Sequence, residues 1–226
     1  AGTTNAGVVD PISQCRQVAD QYNLWMHTDA AWGGALIASD ALRTTLAGLE
    51  RSDSVTIDAH KWFATTMGTG MFLTRRAGVL RRVFNVQTDY MPSNDHSVDW
   101  YVTSSQWSRR FIGLRLFLSL AVAGWPGYAQ HVERAVELTN YLCVQVKKRG
   151  WRVVNDSQMA VACLVPPSGL ATPDQIVERV VAAGQHWISV TRFEHQPVIR
   201  VCITNGKTTQ ADVDSLVDAM VAAAAT

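Results

Sequence analysis

The stretch Ser54-Val55-Thr56-Ile57-Asp58-Ala59-His60-Lys61-Trp62 joins a short apolar run to a histidine and a lysine. An apolar, β-branched run of this length is typical of a strand, so Lys61 stands where the strand passes into a loop. A second apolar run, Leu24-Trp25-Met26, comes before Asp29 in a loop at residues 27–34. Because the carboxyl ends of parallel strands lie at the same edge of a sheet, we expect the Lys61 amine and the Asp29 carboxylate to meet in one crevice.

Strands and helices alternate through the first part of the chain. Asp10-Pro11 is a typical helix start, and the apolar residues that follow recur at helical spacing. The predicted strands are residues 24–26, 53–58 and 71–74, and the predicted helices are residues 11–22, 35–49 and 77–84. This alternation predicts the back half of an α/β domain, with a mostly parallel sheet covered on both faces.

The pattern changes after residue 84. Residues 85–107 have little periodicity and contain a polar cluster, which predicts a long loop of the kind that forms lids. Two helices at 109–123 and 128–148 precede a ββαββα order, with strands at 151–154, 159–165, 187–192 and 198–203 and helices at 172–183 and 209–224. This order predicts an α+β layer with a largely antiparallel sheet. We therefore place a domain boundary near residues 108–128 and divide the chain into residues 1–115 and 116–226.

Composition argues against several classes of function. The chain has 20 Lys and Arg against 19 Asp and Glu and no long basic run, so no nucleic-acid surface is expected. Its apolar stretches are shorter than the roughly 20 residues of a membrane span. The four cysteines form neither a C-x-x-C motif nor a cluster with histidine, which predicts reduced, buried thiols, no metal site and a cytoplasmic location.

Several motifs occur together in one order, and they extend to the end of the chain. They are Thr3-Thr4, His27-Thr28-Asp29-Ala30-Ala31-Trp32-Gly33-Gly34, Asp53-Ser54, Asp58-Ala59-His60-Lys61-Trp62, Arg109-Arg110-Phe111, Ile199-Arg200-Val201-Cys202-Ile203-Thr204-Asn205 and Thr208-Thr209. With these motifs the chain resembles the group II pyridoxal-phosphate-dependent amino acid decarboxylases. Members of that family act on aromatic amino acids, glutamate, histidine or diaminobutyrate.

The resemblance implies a fold and an assembly. The family has the aspartate-aminotransferase-like fold (fold type I), with a large α/β cofactor-binding domain and a small C-terminal domain, and forms a homodimer. The chain resembles the second half of the large domain, including a catalytic loop at residues 85–107, followed by the small domain. It opens on Ala1-Gly2-Thr3-Thr4-Asn5-Ala6-Gly7, which reads as a strand end without a methionine. We therefore expect the N-terminal half of the large domain to lie before residue 1.

The resemblance also implies how pyridoxal 5'-phosphate is held. Lys61 would form the Schiff base with the cofactor aldehyde, which needs an amine that can lose its proton. Asp29 would pair with the pyridine nitrogen, so that the ring can accept the electron pair left when CO2 departs. Ala31 would touch the ring, and Thr4 would lie close to the cofactor. Small residues around Asp29 let a flat ring approach the backbone.

Two residues next to Lys61 have alternative roles. His60 would lie near the phosphate and the substrate, although a structural histidine at a strand end is the competing interpretation. Asp58 stands where many relatives carry asparagine. A carboxylate beside a phosphate is repulsive unless it is paired, so a role as cofactor ligand stays open. Trp32 and Trp62 are expected to line the pocket.

Two further residues are candidates on more distant segments. Tyr90 corresponds to a tyrosine on a mobile loop that reprotonates the α-carbon, a task that suits a phenol; anchoring of the loop is the alternative. Arg200 could bind the substrate carboxylate through two hydrogen bonds, or it could be an ion-pair partner on the sheet face. His27 and Arg109 are expected to support the site.

The predicted function is conversion of an L-amino acid to its amine and CO2. Two alternatives remain open: a decarboxylation-coupled oxidative deaminase that makes an aldehyde, against which Tyr90 argues, and a non-catalytic dimerising fragment. The residues do not identify the amino acid. In this family the side-chain pocket is built largely from residues before Ala1 and from the partner subunit.

Overall fold

The structure is a computed structural model that describes residues 1–84, 86, 90 and 100–225. It contains two sheets and a long kinked helix that packs against both. In chain order the main elements are α1 (Ile12–Gln21), β1 (His27–Asp29), β2 (Ser54–Asp58), β3 (Gly70–Thr74), α2 (Val79–Phe84), α3 (Gly113–Lys148), β4 (Arg152–Val153), β5 (Val161–Val165), α4 (Pro173–Ala182), β6 (Ser189–Phe193), β7 (Gln196–Cys202) and α5 (Gln210–Ala225).

The first sheet has the order β1-β2-β3. β1 and β2 are parallel, with Asp29 opposite Thr56, as the sequence predicted. β3 runs antiparallel to β2, with Gly70 opposite Asp58, so the expectation of a mostly parallel sheet is wrong for this strand. The reason is the connection: residues 59–69 are too few for the crossover that a parallel pair requires.

β1 lies slightly later than predicted. Residues 24–26 belong to the exit from α1, where Leu24 donates its N–H to the Ala19 carbonyl. The strand is His27–Asp29, and Asp29 is its last residue rather than part of a following loop. The shift keeps Asp29 at the carboxyl edge of the sheet, next to the end of β2.

Residues 35–49 do not form the predicted α-helix. They form 3₁₀ turns at Gly33–Ala38 and Arg43–Leu46, with a third at Leu49–Arg51. Ser39 has an extended backbone, and its hydroxyl accepts the N–H of Leu42, which offers the backbone an alternative to helical pairing. Gly48 then adopts a left-handed conformation with φ of 100°.

The second sheet confirms the predicted ββαββα unit. Its order is β4-β5-β7-β6, and every pairing is antiparallel. α4 begins with the predicted cap, in which Thr172 and Gln175 satisfy each other's backbone N–H groups. The core between this sheet and its helices includes Leu142, Leu164 and Met220.

α3 contributes to both cores. The sequence predicted two helices with a break, and the break is a kink at Gly124, whose φ is 64° and ψ is 174°. Beyond the kink, Tyr128 and Val132 pack with the first sheet, whereas Leu138 and Leu142 pack with the second. The division into residues 1–115 and 116–226 therefore stays a prediction.

All four cysteines are free, but they differ in exposure. Cys163 is buried, and Cys143 and Cys202 are half-buried. Cys15 is exposed, so the expectation of a buried thiol is wrong there, because this position of α1 faces solvent. Among the described residues, no helix combines the length and the apolar character needed to cross a membrane.

Candidate active site

Asp29 and Lys61 line the same small cavity. It has a volume of about 220 Å³ and lies at the carboxyl edge of the β1/β2 pair. The residues around it are Ala1, Gly2, Thr3, Thr4, Asp10, Asp29, Ala31, Trp32 and Lys61. The structure thus brings five of the sequence-predicted residues together: Thr4, Asp29, Ala31, Trp32 and Lys61.

Asp29 is oriented by the chain that follows it. Its Oδ1 accepts the N–H of Ala31 at 2.9 Å, closing a turn of the kind that aspartate side chains favour. The segment is tied to β2 by two more hydrogen bonds, from Ala30 N–H to the Thr56 carbonyl and from Asp58 N–H to the Ala31 carbonyl. The carboxylate therefore sits on a backbone that is fixed to the strand leading to Lys61.

Lys61 stands in a tight turn after β2. Its N–H donates to the Asp58 carbonyl at 3.1 Å, and its Nζ forms an ion pair with Asp58 Oδ2 at 3.0 Å. The lysine side chain is 38% exposed, so the amine is accessible from the cavity. The geometry places the Asp58 carboxylate directly against the Lys61 amine.

His60 is held by the chain before β3. Its Nδ1 lies 3.1 Å from the Thr69 carbonyl oxygen, and since a carbonyl only accepts, Nδ1 carries the proton and donates. Nε2 lies 3.9 Å from Asp58 Oδ2, beyond hydrogen-bond distance. The contact with Thr69 supports the structural interpretation of His60, and the closeness of Nε2 to the Asp58 and Lys61 pair keeps the functional one open.

Two tryptophans join the two segments of the site. The rings of Trp32 and Trp62 stack with centroids 4.9 Å apart and an angle of 12° between their planes. Trp32 lines the cavity as expected, but Trp62 is completely buried behind it and does not line it. Both indole N–H groups are buried, and neither has a hydrogen-bond partner within the part of the chain that the structure describes.

Arg200 reaches the edge of this cavity through Thr4. Its Nε donates to the Thr4 carbonyl at 2.9 Å, linking β7 of the second sheet to the segment at the start of the chain. Within the described ranges no carboxylate forms an ion pair with Arg200, so the alternative of a sheet-face ion pair finds no partner there.

The remaining candidates lie outside the cavity lining. Tyr90 is 77% exposed, and most of its neighbours in the predicted loop, residues 87–89 and 91–99, lie outside the described residues. The Arg109 guanidinium lies over the Trp100 ring, 5.1 Å from its centroid. His27 hydrogen-bonds Ser54 on the same sheet face as Asp29. Neither Tyr90 nor Arg109 lines the cavity that holds Asp29 and Lys61.

Asp53 is a buried charge whose role the motif alone did not reveal. It accepts hydrogen bonds from Met26 N–H at 2.9 Å, Arg16 Nη1 at 2.7 Å and Arg76 Nε at 2.6 Å. The Met26 N–H and these two guanidinium groups lower the pKa of Asp53 to about 2, against the opposing effect of burial. Through these contacts Asp53 links α1, the residue before β1 and the segment after β3 to the start of β2.

An amine and a carboxylate at the ends of two parallel strands define the chain as an α/β protein in which both groups line one cavity. The chain belongs to the pyridoxal-dependent decarboxylase family: the profile of the pyridoxal-dependent decarboxylase conserved domain matches residues 1–165.

Curated relatives and solved structures agree with this assignment. The chain is 30% identical to the L-2,4-diaminobutyrate decarboxylase of Acinetobacter baumannii (99% of this chain, 46% of the relative). It is 28% identical to the aromatic-L-amino-acid decarboxylase of Bacillus atrophaeus (94% and 47%). It superposes on the crystal structure of mouse CSAD in apo form with a TM-score of 0.89 and 29% identity (99% and 50%). The chain thus spans about half the length of the curated relatives it matches.

The residues of the cavity fit pyridoxal phosphate by their chemistry. A primary amine is the group that reacts with an aldehyde, and a carboxylate is the partner of a protonated ring nitrogen. Ala31 places only a methyl group beside them, which leaves room for a flat ring. Lys61 and Asp29 would hold the cofactor, with Ala31 against it.

Proposed function

We propose that the protein containing this chain decarboxylates an L-amino acid to the corresponding amine and CO2, with pyridoxal phosphate bound through Lys61. The observation that carries the proposal is the shared cavity of Lys61 and Asp29 in a chain of this family. When bound, the cofactor supplies the electron sink for the pair released with CO2. The chain's own residues would hold the cofactor, orient it and donate a proton to the α-carbon of the substrate.

Lys61 and Asp29 act at opposite ends of the cofactor. The Lys61 amine would hold the cofactor through its aldehyde group, and the Asp29 carboxylate would pair with the ring nitrogen. The Ala31 N–H keeps Asp29 pointing along one direction, so no reorganisation is needed when the ring arrives. Asp58 serves this site as the counter-ion of Lys61, which its 3.0 Å ion pair supports, rather than as a phosphate ligand.

His60 and Thr4 complete the proposed cofactor contacts. The Thr69 carbonyl fixes the ring of His60, so its Nε2 can face a phosphate or a substrate group on the Lys61 side. Thr4 lines the cavity and is held at its carbonyl by Arg200.

The substrate contacts are proposed for Arg200 and Tyr90. The Arg200 guanidinium binds the Thr4 carbonyl through Nε, and its Nη groups would bind the carboxylate of an amino acid at the cavity edge. Tyr90, which is 77% exposed to solvent, would donate the proton to the α-carbon.

The proposed assembly is a homodimer in the cytoplasm. Apolar side chains are exposed along the first half of α3, a pattern that supports an interface there; they are Phe117 (66% exposed), Leu118 (53%), Val122 (90%) and Trp125 (55%). The four free thiols support a reducing compartment. Sedimentation of the protein at two concentrations would measure the assembly state.

The direct experiment compares the protein with its Lys61→Ala variant. CO2 release is measured over a panel of L-amino acids, and the cofactor's absorbance is recorded before and after borohydride reduction. Lys148→Ala, an exposed lysine at the end of α3, is the control. We expect CO2 release and a reduced cofactor adduct on Lys61 in the wild type and in the control, and neither in Lys61→Ala. The proposal fails if no amino acid yields CO2 or if Lys61→Ala keeps the adduct.

The same assay separates the two enzymatic alternatives. Amine as the product supports simple decarboxylation, whereas aldehyde with ammonia indicates the oxidative reaction. Tyr90→Phe tests the proposed proton donor, because loss of the phenol should reduce amine formation while leaving attachment of the cofactor to Lys61 unchanged.

A further inference from the structure

His131 of α3 holds the carbonyl group of Trp62, the residue that follows Lys61. Its Nε2 lies 3.1 Å from the Trp62 oxygen. Because a carbonyl oxygen only accepts, Nε2 carries the proton and donates. This hydrogen bond connects the long helix to the turn that carries the lysine.

Three other carbonyl groups of the turn are paired locally. The carbonyls of Asp58, Ala59 and Lys61 accept N–H groups from Lys61, Thr65 and Ala64, respectively. The Trp62 carbonyl is instead held from outside by a side chain. The direction of the turn therefore depends on α3 as well as on its own hydrogen bonds.

The Nδ1–Cε1 edge of the imidazole faces the loop between β7 and α5. A Cβ atom on Gly206, in the loop between β7 and α5, would lie 2.9 Å from His131 Nδ1 and 3.2 Å from Cε1. The loop backbone thus approaches the ring more closely than any side chain would allow. His131 is confined between the loop at Gly206 and the turn at Trp62.

The surrounding packing leaves the turn little freedom to adjust. Trp62 is completely buried and stacked on Trp32, and Phe63 meets the ring of Tyr128 edge-on at 5.2 Å. His131 lies between the buried residues Tyr128 and Val132 on the face of α3 that covers the turn. A displacement of His131 would therefore be transmitted to the backbone beside Lys61.

We propose that His131 is a positioning residue for Lys61, and that the loop at Gly206 sets the position of His131. The hydrogen bond fixes the Trp62 carbonyl, and so fixes the direction in which the Lys61 side chain leaves the turn toward the Asp29 cavity. Through Gly206, the loop between β7 and α5 therefore also helps to position Lys61. The expected effect on attachment of the cofactor to Lys61 rests on the proposed function. The restraint that His131 places on residues 59–65 does not.

The test compares two substitutions at His131 with a matched control elsewhere. His131→Leu removes the donor and keeps an apolar volume, and His131→Gln keeps an N–H at a similar reach. His186→Leu removes a histidine that makes one hydrogen bond of similar length, between Nε2 and Ser215 Oγ at 3.0 Å, next to the second sheet. Amide hydrogen exchange of residues 59–65 and of β5 is measured in each, together with the rate at which pyridoxal phosphate becomes reducible onto Lys61.

Loss of one hydrogen bond should raise exchange at residues 59–65 about two- to tenfold in His131→Leu, with β5 unchanged. His131→Gln should restore the wild-type exchange, and His186→Leu should leave residues 59–65 as they are. The rate of attachment to Lys61 should fall severalfold in His131→Leu and recover in His131→Gln. Gly206→Ala should act in the same direction as His131→Leu, because its methyl group displaces the ring.

Three outcomes would overturn the inference: unchanged exchange at residues 59–65 in His131→Leu, an equal rise in β5, or no recovery in His131→Gln. Failure of the proposed function gives a different result. In that case the wild type itself shows no attachment to Lys61, while the exchange measurement still decides on the role of His131.

Discussion

Replacing Asp53 with asparagine should destabilise the fold around β2 more than replacing any exposed aspartate. The side chain is only 1% exposed, and it accepts hydrogen bonds from Met26, Arg16 and Arg76. Asparagine keeps the size of the side chain but loses the charge. It also presents an NH2 group in place of one oxygen, so either the Arg16 or the Arg76 guanidinium faces a donor instead of an acceptor.

The size of the effect follows from the exposure of the partners. Breaking one half of a buried ion pair costs about 3–5 kcal/mol. Arg76 is 53% exposed and can be hydrated, and Arg16 keeps its contact with Asp20 at 2.8 Å. We therefore expect a loss of about 2–3 kcal/mol, below the full range for a buried pair. For a chain of this size that corresponds to a fall in Tm of roughly 4–12 °C.

Urea denaturation of the wild type, Asp53→Asn and Asp40→Asn measures this loss. Asp40 is the matched control, because it also pairs with an arginine, Arg43 at 3.1 Å, but its side chain is 90% exposed. Its replacement should cost less than about 1 kcal/mol. If Asp53→Asn proves no more destabilising than Asp40→Asn, the buried network does not fasten the elements around β2.

Three other predictions concern stability. The pKa of Asp53 is about 2, below the ordinary 3.8, so its stabilisation is complete above about pH 4 and is lost as the pH falls toward 2; urea midpoints should fall more steeply over that range in the wild type than in Asp53→Asn. Gly34→Ala would place a methyl group 2.7 Å from Ile57 and should cost about 1–3 kcal/mol, whereas Gly113→Ala, with 3.9 Å to its nearest neighbour, should cost nothing measurable. Thr172→Ala removes the cap of α4 and should lower the free energy of unfolding by about 1 kcal/mol, with no effect on cofactor attachment.

Features set by neighbouring residues were predictable from the sequence. The start of α4 depends on Thr172 and Gln175, three residues apart, and β2 depends on a continuous β-branched run. The crevice at Asp29 and Lys61 was predictable for a related reason: the end of a strand can be located from its own residues, and parallel pairing brings two such ends together.

Features set by contacts across the chain were not predictable in this way. Residues 35–49 have helix-forming composition, but Ser39 and Gly48 interrupt them in the folded chain. The antiparallel direction of β3 was missed although the short connection at residues 59–69 contained the signal. His131 could not be singled out, because its partner Trp62 lies 69 residues away in sequence.

The passage of α3 through both cores has a consequence for how the protein melts. Tyr128 and Val132 complete the packing around Trp62, and two turns further on Leu138 and Leu142 complete the packing of the second sheet. Neither sheet can lose this helix without exposing its own apolar face to water. Heat or denaturant should therefore disrupt both layers in a single cooperative transition, so that the first and second sheets lose their structure at the same midpoint.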